Sequence, residues 1–209
     1  MEEKIKVDIM SPFGPKLLKS KLPQFTTNSL NSAIDKLISE KMLKSAGGEL
    51  VGQVTDEFYL PRDLVNQTLL EPLTQFAKIY VRTAYKRDIT IFDIKQCWIV
   101  RQYKSEYNPV HWHAGHISGV LYLKVPSKVG DNIQKNKKYE SHGTIYFIHG
   151  SRQAFSQSIV KVKPAVGDIF MFPNYLMHTV YPFFESTEER RSLSFNCVVD
   201  EDIINETYS

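Results

Sequence analysis

Three of the chain's six histidines have the type and spacing for metal chemistry. His111 and His113 flank Trp112 and lead into the apolar run Ile117 to Leu123, while His178 stands far downstream, closing Phe172-Pro173-Asn174-Tyr175-Leu176-Met177-His178. On an extended chain, residues i and i+2 point to the same side, so His111 and His113 face together and Trp112 faces away. Two neighbouring imidazoles and a third from a distant segment can close three corners around one metal ion and leave its other positions open to reactants. Neutral imidazole nitrogen suits Fe(II), and the usual set in oxygen-using iron enzymes is two histidines and one carboxylate. Here His113 stands where a carboxylate would be expected. An isolated His-x-His serves as readily as a hydrogen-bonded core or surface pair, so the weight lies in its order with the downstream strands and His178. His116 is a substitute ligand of lower rank, because its odd offset from His113 turns it to the other face.

The second chemical feature is Arg190-Arg191-Ser192-Leu193-Ser194-Phe195-Asn196. It alternates as a strand and opens with a cation able to hold a dicarboxylate co-substrate. Arg191, Leu193 and Phe195 share the more apolar face, which leaves Arg190 and Ser192 together on the other. Arginine offers a planar fork that matches a carboxylate. The competing reading of Arg190 is a weak surface pair with Glu188 or Glu189.

These residues need a scaffold, and the texture of the chain supplies one. The stretches 89–92, 96–103, 117–125, 143–148, 158–162, 168–172 and 192–199 are short, rich in β-branched and aromatic residues, and bounded by turns, the pattern of a sandwich or barrel. Gly167-Asp168 supplies turn chemistry ahead of Ile169 to Phe172, and Pro173 ends that strand, so His178 is delivered just past a strand end, at a barrel mouth. Upstream, Ile5, Val7 and Ile9 alternate as a strand before Pro12, Gly14 and Pro15. Leu30, Ala33, Ile34, Leu37, Ile38 and Leu43 recur at helical spacing over 27–44, with Thr27 or Asn28 as cap. A second helix spans 62–87, where Pro72 is placed to kink or divide it. The stretch 126–142, rich in Lys, Asn, Ser and Gly, reads as a mobile loop. Its Lys128, Lys135, Lys137 and Lys138 either clamp an acidic or extended substrate or are simply solvated, the commoner meaning of such charge. The expected fold is α+β: a double-stranded β-helix, or jelly roll, over 89–209, with residues 1–88 as helical support within the same unit.

Composition sets outer limits. A chain of 209 residues suits one domain with a substantial core. The formal charge of +3 gives no basic stripe of a dedicated nucleic-acid binder. Cys97 and Cys197 lie in apolar runs without the close pairing of a zinc or redox motif, and are expected as buried thiols. An acidic start without an apolar segment behind it argues against a secretory signal, and no apolar run is long enough for a membrane span. A soluble, cytoplasmic protein is expected; the sequence leaves its oligomeric state open.

In order along the chain, His111-Trp112-His113, Ile117-Ser118-Gly119-Val120-Leu121-Tyr122-Leu123, Gly167-Asp168-Ile169-Phe170-Met171-Phe172-Pro173, His178 and the Arg190 strand resemble the 2-oxoglutarate and Fe(II)-dependent oxygenases. The resemblance covers about 94–200 and is greatest to an oxygenase family often encoded by phages and related to prolyl 4-hydroxylases. It implies a dioxygenase that couples oxidative decarboxylation of 2-oxoglutarate, with release of succinate and CO2, to hydroxylation of a substrate by O2. By position it implies that His111 and His178 are iron ligands, that His113 replaces the usual aspartate, and that Arg190 with Ser192 binds the distal carboxylate of 2-oxoglutarate. It also makes Tyr103 a hydrogen-bond donor to that co-substrate, against a core-packing role; Tyr122 and Ser118 are further candidates. The substrate stays open among peptide, nucleobase and small molecule. Two other readings stand beside it. A cupin-like dioxygenase with three histidine ligands and no 2-oxoglutarate accounts for His113 and leaves Arg190 and Ser192 idle; a non-catalytic jelly-roll binding or structural module uses neither.

Overall fold

The computed structural model describes residues 14–132, 134–138 and 140–205. The described chain runs β1 (Leu18–Lys21), α1 (Gln24–Ser39), β2 (Lys44–Ser45), β3 (Asp56–Tyr59), α2 (Arg62–Thr68), α3 (Leu70–Tyr85), β4 (Phe92–Gln102), β5 (Asn108–His111), β6 (Ile117–Lys124), β7 (Ile145–Ile148), β8 (Ile159–Val162), β9 (Asp168–Pro173), β10 (Met177–Val180), β11 (Arg190–Val199) and α4 (Glu201–Asn205). The strands form two antiparallel sheets, a larger one ordered β1-β9-β6-β11-β4-β3-β2 and a smaller one ordered β5-β10-β7-β8. This is a double-stranded β-helix with helices on its outer side.

Period-two alternation sorts the residues of the larger sheet into two cores. Leu121 and Leu123 of β6, Ile169 and Met171 of β9, and Leu193 and Phe195 of β11 turn outward and pack with Leu30 and Ile34 of α1 and Leu73, Ala77 and Val81 of α3. Their neighbours Val120, Tyr122, Phe170 and Phe172 turn inward and meet Ile145 and Phe147 of the smaller sheet. Cys97 and Cys197 are buried free thiols.

Several boundaries differ from the sequence reading. α1 starts at Gln24, ahead of Thr27 and Asn28, and Pro23 holds the position before its first turn. The long helical pattern is divided at Leu69, and Pro72 lies inside the first turn of α3, where its missing N–H breaks no helical hydrogen bond. The N-terminal third is more than helical support, since β1 pairs with β9 and β3 pairs with β4 as outer strands of the larger sheet. The expected strand at Ile5 to Ile9 lies outside the described residues. The loop at 126–142 is tied to the segment before β11: Ser127 N and Asp131 N donate to the carboxylates of Glu188 and Glu185, and Phe184 N donates to Val129 O. No helix among the described residues is long and apolar enough to cross a membrane.

Candidate metal and co-substrate site

β5 and β10, the two strands that carry the histidines, are short and adjacent. His111 and His178 are direct cross-strand partners, and His113 follows two residues beyond the end of β5. The turn after it is fixed from both sides. His113 N donates to Asn174 O at 3.0 Å, Asn174 Nδ2 donates back to His113 O at 3.2 Å, and Asn174 N donates to His116 O at 3.1 Å. Gly115 adopts φ +90° within this turn, and a Cβ there would stand 2.8 Å from Cys197 O, so only glycine fits.

The three imidazoles converge, with one ligating nitrogen from each lying within 4.8 Å of the others. His113 Nε2 and His178 Nε2 are 3.2 Å apart, close to the roughly 3 Å expected of adjacent ligands on a metal with bonds near 2.1 Å. The other ring nitrogens set the tautomers. His111 Nδ1 lies 2.7 Å from Pro109 O and His178 Nδ1 2.9 Å from Leu176 O. A carbonyl only accepts, so both Nδ1 atoms carry the proton and both Nε2 lone pairs face the shared space, the outer-sphere arrangement that orients metal-binding histidines. Burial keeps all three rings neutral. It lowers the pKa of His111, brings that of His113 to about 4 with help from His111, and brings that of His178 to about 3 with help from His111 and His113. Phe172 packs edge-on to His178 at 5.0 Å, and Trp98 lies 5.5 Å from His113. Neutral, preoriented nitrogens with apolar rings packed against them fit a divalent transition metal. His116 is not part of the set, because its Nδ1 accepts a hydrogen bond from Val199 N at 3.1 Å on the far side of the turn.

A cavity of about 240 Å³ opens between the sheets, and the three histidines share its wall with Arg190, Ser192, Tyr122 and Asn108. Arg190 is 2 % exposed. One of its terminal nitrogens donates to Gln102 Oε1 at 2.7 Å, the other to the Tyr122 hydroxyl at 3.2 Å, and its Nε has no partner. No carboxylate among the described residues pairs with it. Glu188 is held by Ser127, and Glu189 by Arg191, Arg101 and Lys124. A buried cation without a counter-ion is costly unless an anion completes it, and Arg190 therefore fits a carboxylate brought in with a ligand. Arg191 faces the other way, onto Asp35, Asn31 and Glu189.

Tyr103 is not in this cavity. It follows Gln102, whose side chain faces inward, so it turns with Arg101 to the opposite side and its hydroxyl accepts from Arg101 Nη2. Tyr122, opposite Ser192 on β6, is the phenol beside Arg190. Ser118 is occupied by Asn196, donating to its Oδ1 at 2.9 Å. The lysines of the 126–142 loop do not line the cavity. Gln102, which braces Arg190, and Glu57, which lines the cavity, were not singled out in the sequence: the first is a polar residue within an apolar strand and the second follows another acid in a four-residue strand.

Residues 96–196 match a family model described as "Putative 2OG-Fe(II) oxygenase". No curated protein matches the chain. Similar solved structures include a prolyl-4-hydroxylase from Pseudomonas putida, 16% identical over 86% of this chain and 91% of that one, with a TM-score of 0.59. The viral collagen prolyl hydroxylase of Paramecium bursaria Chlorella virus-1, in its 2OG complex, is 15% identical over 87% and 94% of the two chains, with a TM-score of 0.55. A prolyl hydroxylase from Trichoplax adhaerens, in complex with a hypoxia inducible factor peptide fragment, is 12% identical over 94% and 88%, with a TM-score of 0.60. At these identities the structural likeness is one of fold. The family match, over residues 96–196, spans the strands that carry the histidines and Arg190 and makes this part of the chain similar to the 2OG-Fe(II) oxygenases.

Proposed function

We infer that the protein is an Fe(II)- and 2-oxoglutarate-dependent dioxygenase that hydroxylates its substrate with release of succinate and CO2. The observation that carries this reading is Arg190: a buried cation without a counter-ion, in the same cavity as three neutral histidines whose free nitrogens converge. His111, His113 and His178 would hold the iron, which when bound supplies the redox chemistry that activates O2 and decarboxylates 2-oxoglutarate. The protein's own contribution is placement. Pro109 O and Leu176 O fix the imidazole tautomers; Arg190, braced by Gln102 and Tyr122, takes the distal carboxylate of the co-substrate; Phe172 and Trp98 pack against the histidine rings and limit their rotation. With three imidazoles in place of two and a carboxylate, the centre would carry one more positive charge with its metal bound than the usual set.

A three-histidine dioxygenase that needs no 2-oxoglutarate shares the ligand set and gives Arg190 no anion to hold, which favours the 2-oxoglutarate reading. The test is calorimetric binding of 2-oxoglutarate to protein loaded with Mn(II), alongside succinate formation with Fe(II) and O2. Metal-dependent 2-oxoglutarate binding that is lost in Arg190→Ala is the expected result. Undiminished binding in that variant would overturn the assignment of Arg190, and no binding to the wild type would favour the three-histidine alternative.

A further inference from the structure

Four buried side-chain atoms among the described residues lack a hydrogen-bond partner: Arg190 Nε, Asn108 Oδ1 and both carboxylate oxygens of Glu57. All belong to residues lining the one cavity that holds the histidines. Arg190 is accounted for by the co-substrate. Glu57 is not, and it is the more unusual of the two: a carboxyl group 3 % exposed, on a strand, with neither oxygen satisfied. In native proteins such groups are rare and call for an explanation.

Its position separates it from the co-substrate end. Glu57 pairs with Val100 on β4, which pairs with Ser192 on β11. It therefore stands two strands from Ser192, about 10 Å across the sheet, and its carboxylate makes no ion pair with Arg190. The chain leading to β3 folds over its carboxylate without bonding to it; a Cβ on Gly52 would come 2.6 Å from Glu57 Oε1. Beside Glu57 the cavity is lined by a second carboxylate, Glu49, and by the aromatic rings of Tyr59 and Trp98. Glu49 is engaged by the Tyr59 hydroxyl at 2.8 Å. Lys44 lies 5.9 Å over the Tyr59 ring without pairing to Glu57. Acceptors without donors, flanked by aromatic faces, suit an alkylammonium group, which combines ion pairing with attraction to the rings.

We propose that Glu57 is the substrate-recognition residue of this cavity and that the substrate presents a primary alkylammonium group to it. The proposal rests on the oxygenase reading for where the reacting centre lies, and on Glu57 and its surroundings for the chemistry of the ligand. Burial, with Glu106 nearby, pushes the Glu57 carboxyl up to about 7, so the carboxylate is best populated above neutrality, and a bound cation would hold it ionised.

The test is calorimetric titration at pH 8 of n-butylammonium and of its neutral counterpart 1-butanol, into wild-type protein and Glu57→Gln, each with and without Mn(II) and 2-oxoglutarate. The wild type should bind butylammonium at least tenfold more tightly than butanol. Glu57→Gln should lose that preference while keeping its 2-oxoglutarate affinity, and its melting temperature at pH 8 should not fall, since an unpaired buried charge has been removed. Equal binding of ammonium and alcohol by the wild type, or an ammonium preference that survives in Glu57→Gln, would overturn the proposal. Failure of 2-oxoglutarate to bind wild-type protein counts against the oxygenase reading alone, because the ammonium preference is also read without the metal and co-substrate.

Discussion

Arg190 and Arg191 are consecutive in β11, yet their guanidinium groups lie on opposite faces of the larger sheet. Arg190 enters the cavity and meets only the neutral groups Gln102 and Tyr122, whereas Arg191 reaches α1 and is neutralised by Asp35 and Glu189. One residue of register separates a cavity-facing cation without a counter-ion from one paired with carboxylates.

That difference predicts a clean division of labour. Arg190→Ala should weaken 2-oxoglutarate binding by on the order of 2 to 5 kcal/mol, the cost of leaving a desolvated carboxylate unpaired, with metal affinity nearly unchanged. Arg191→Ala should bind 2-oxoglutarate normally and lose about 1 to 3 kcal/mol of stability, through the loss of a buried side chain and its pairs with Glu189 and Asp35. Calorimetric binding and thermal unfolding of the two variants check both halves.

The same geometry separates two tyrosines. Tyr122→Phe removes the hydroxyl that accepts from Arg190 and should cost about 1 to 2 kcal/mol in 2-oxoglutarate affinity. Tyr103→Phe loses only the contact with Arg101 on the other side and should leave that affinity intact.

For the metal, His111→Ala or His178→Ala should reduce Fe(II) affinity by at least about 100-fold, because even the outer partners of ligating residues are worth 10- to 100-fold, while the far-UV circular dichroism of the β fold is retained. His113→Asp should keep iron and raise turnover by restoring the usual carboxylate. Iron spectra and succinate production unchanged in His113→Ala would place that imidazole outside the metal's ligand set.

Acid should destabilise the metal-free protein in a defined window. The folded-state pKa values of His113 and His178, about 4 and about 3, lie below the roughly 6.5 of an unfolded chain. Between these values the unfolded state binds more protons, so this part of the stability is complete above about pH 6.5 and is lost progressively as pH falls. The melting temperature of metal-free wild type should therefore drop more between pH 7.5 and 5 than that of a His113→Asn, His178→Asn double variant. Equal drops would contradict the buried, neutral state of these rings.

How much of this was legible in the sequence depended on whether a residue's role followed from its own strand or from a neighbour's. The alternation within 190–196 was sufficient to turn Arg190 and Arg191 apart, whereas the division of the run Ile169 to Phe172 between two cores shows only in the fold, because the run is apolar throughout. Tyr103 was misplaced because the decisive fact is the pairing of Gln102 with Arg190, a register between strands far apart in sequence. β5 and β10, four residues each, are too short to show a period, so the strands bearing His111 and His178 were not recognised as strands although the histidines were. Glu57 was not singled out in the sequence; its burial comes from the segment around Gly52 folding over it.

The most direct test of the central claim is an anaerobic titration of metal-free protein with Fe(II) and then 2-oxoglutarate, followed by visible absorption. Co-substrate chelated to iron held by His111, His113 and His178 should produce a weak charge-transfer band that saturates at one equivalent of each and requires both. A band that appears equally in His178→Ala, or none at all in the folded wild type with iron bound, would contradict the assignment of this cavity as the iron and 2-oxoglutarate site.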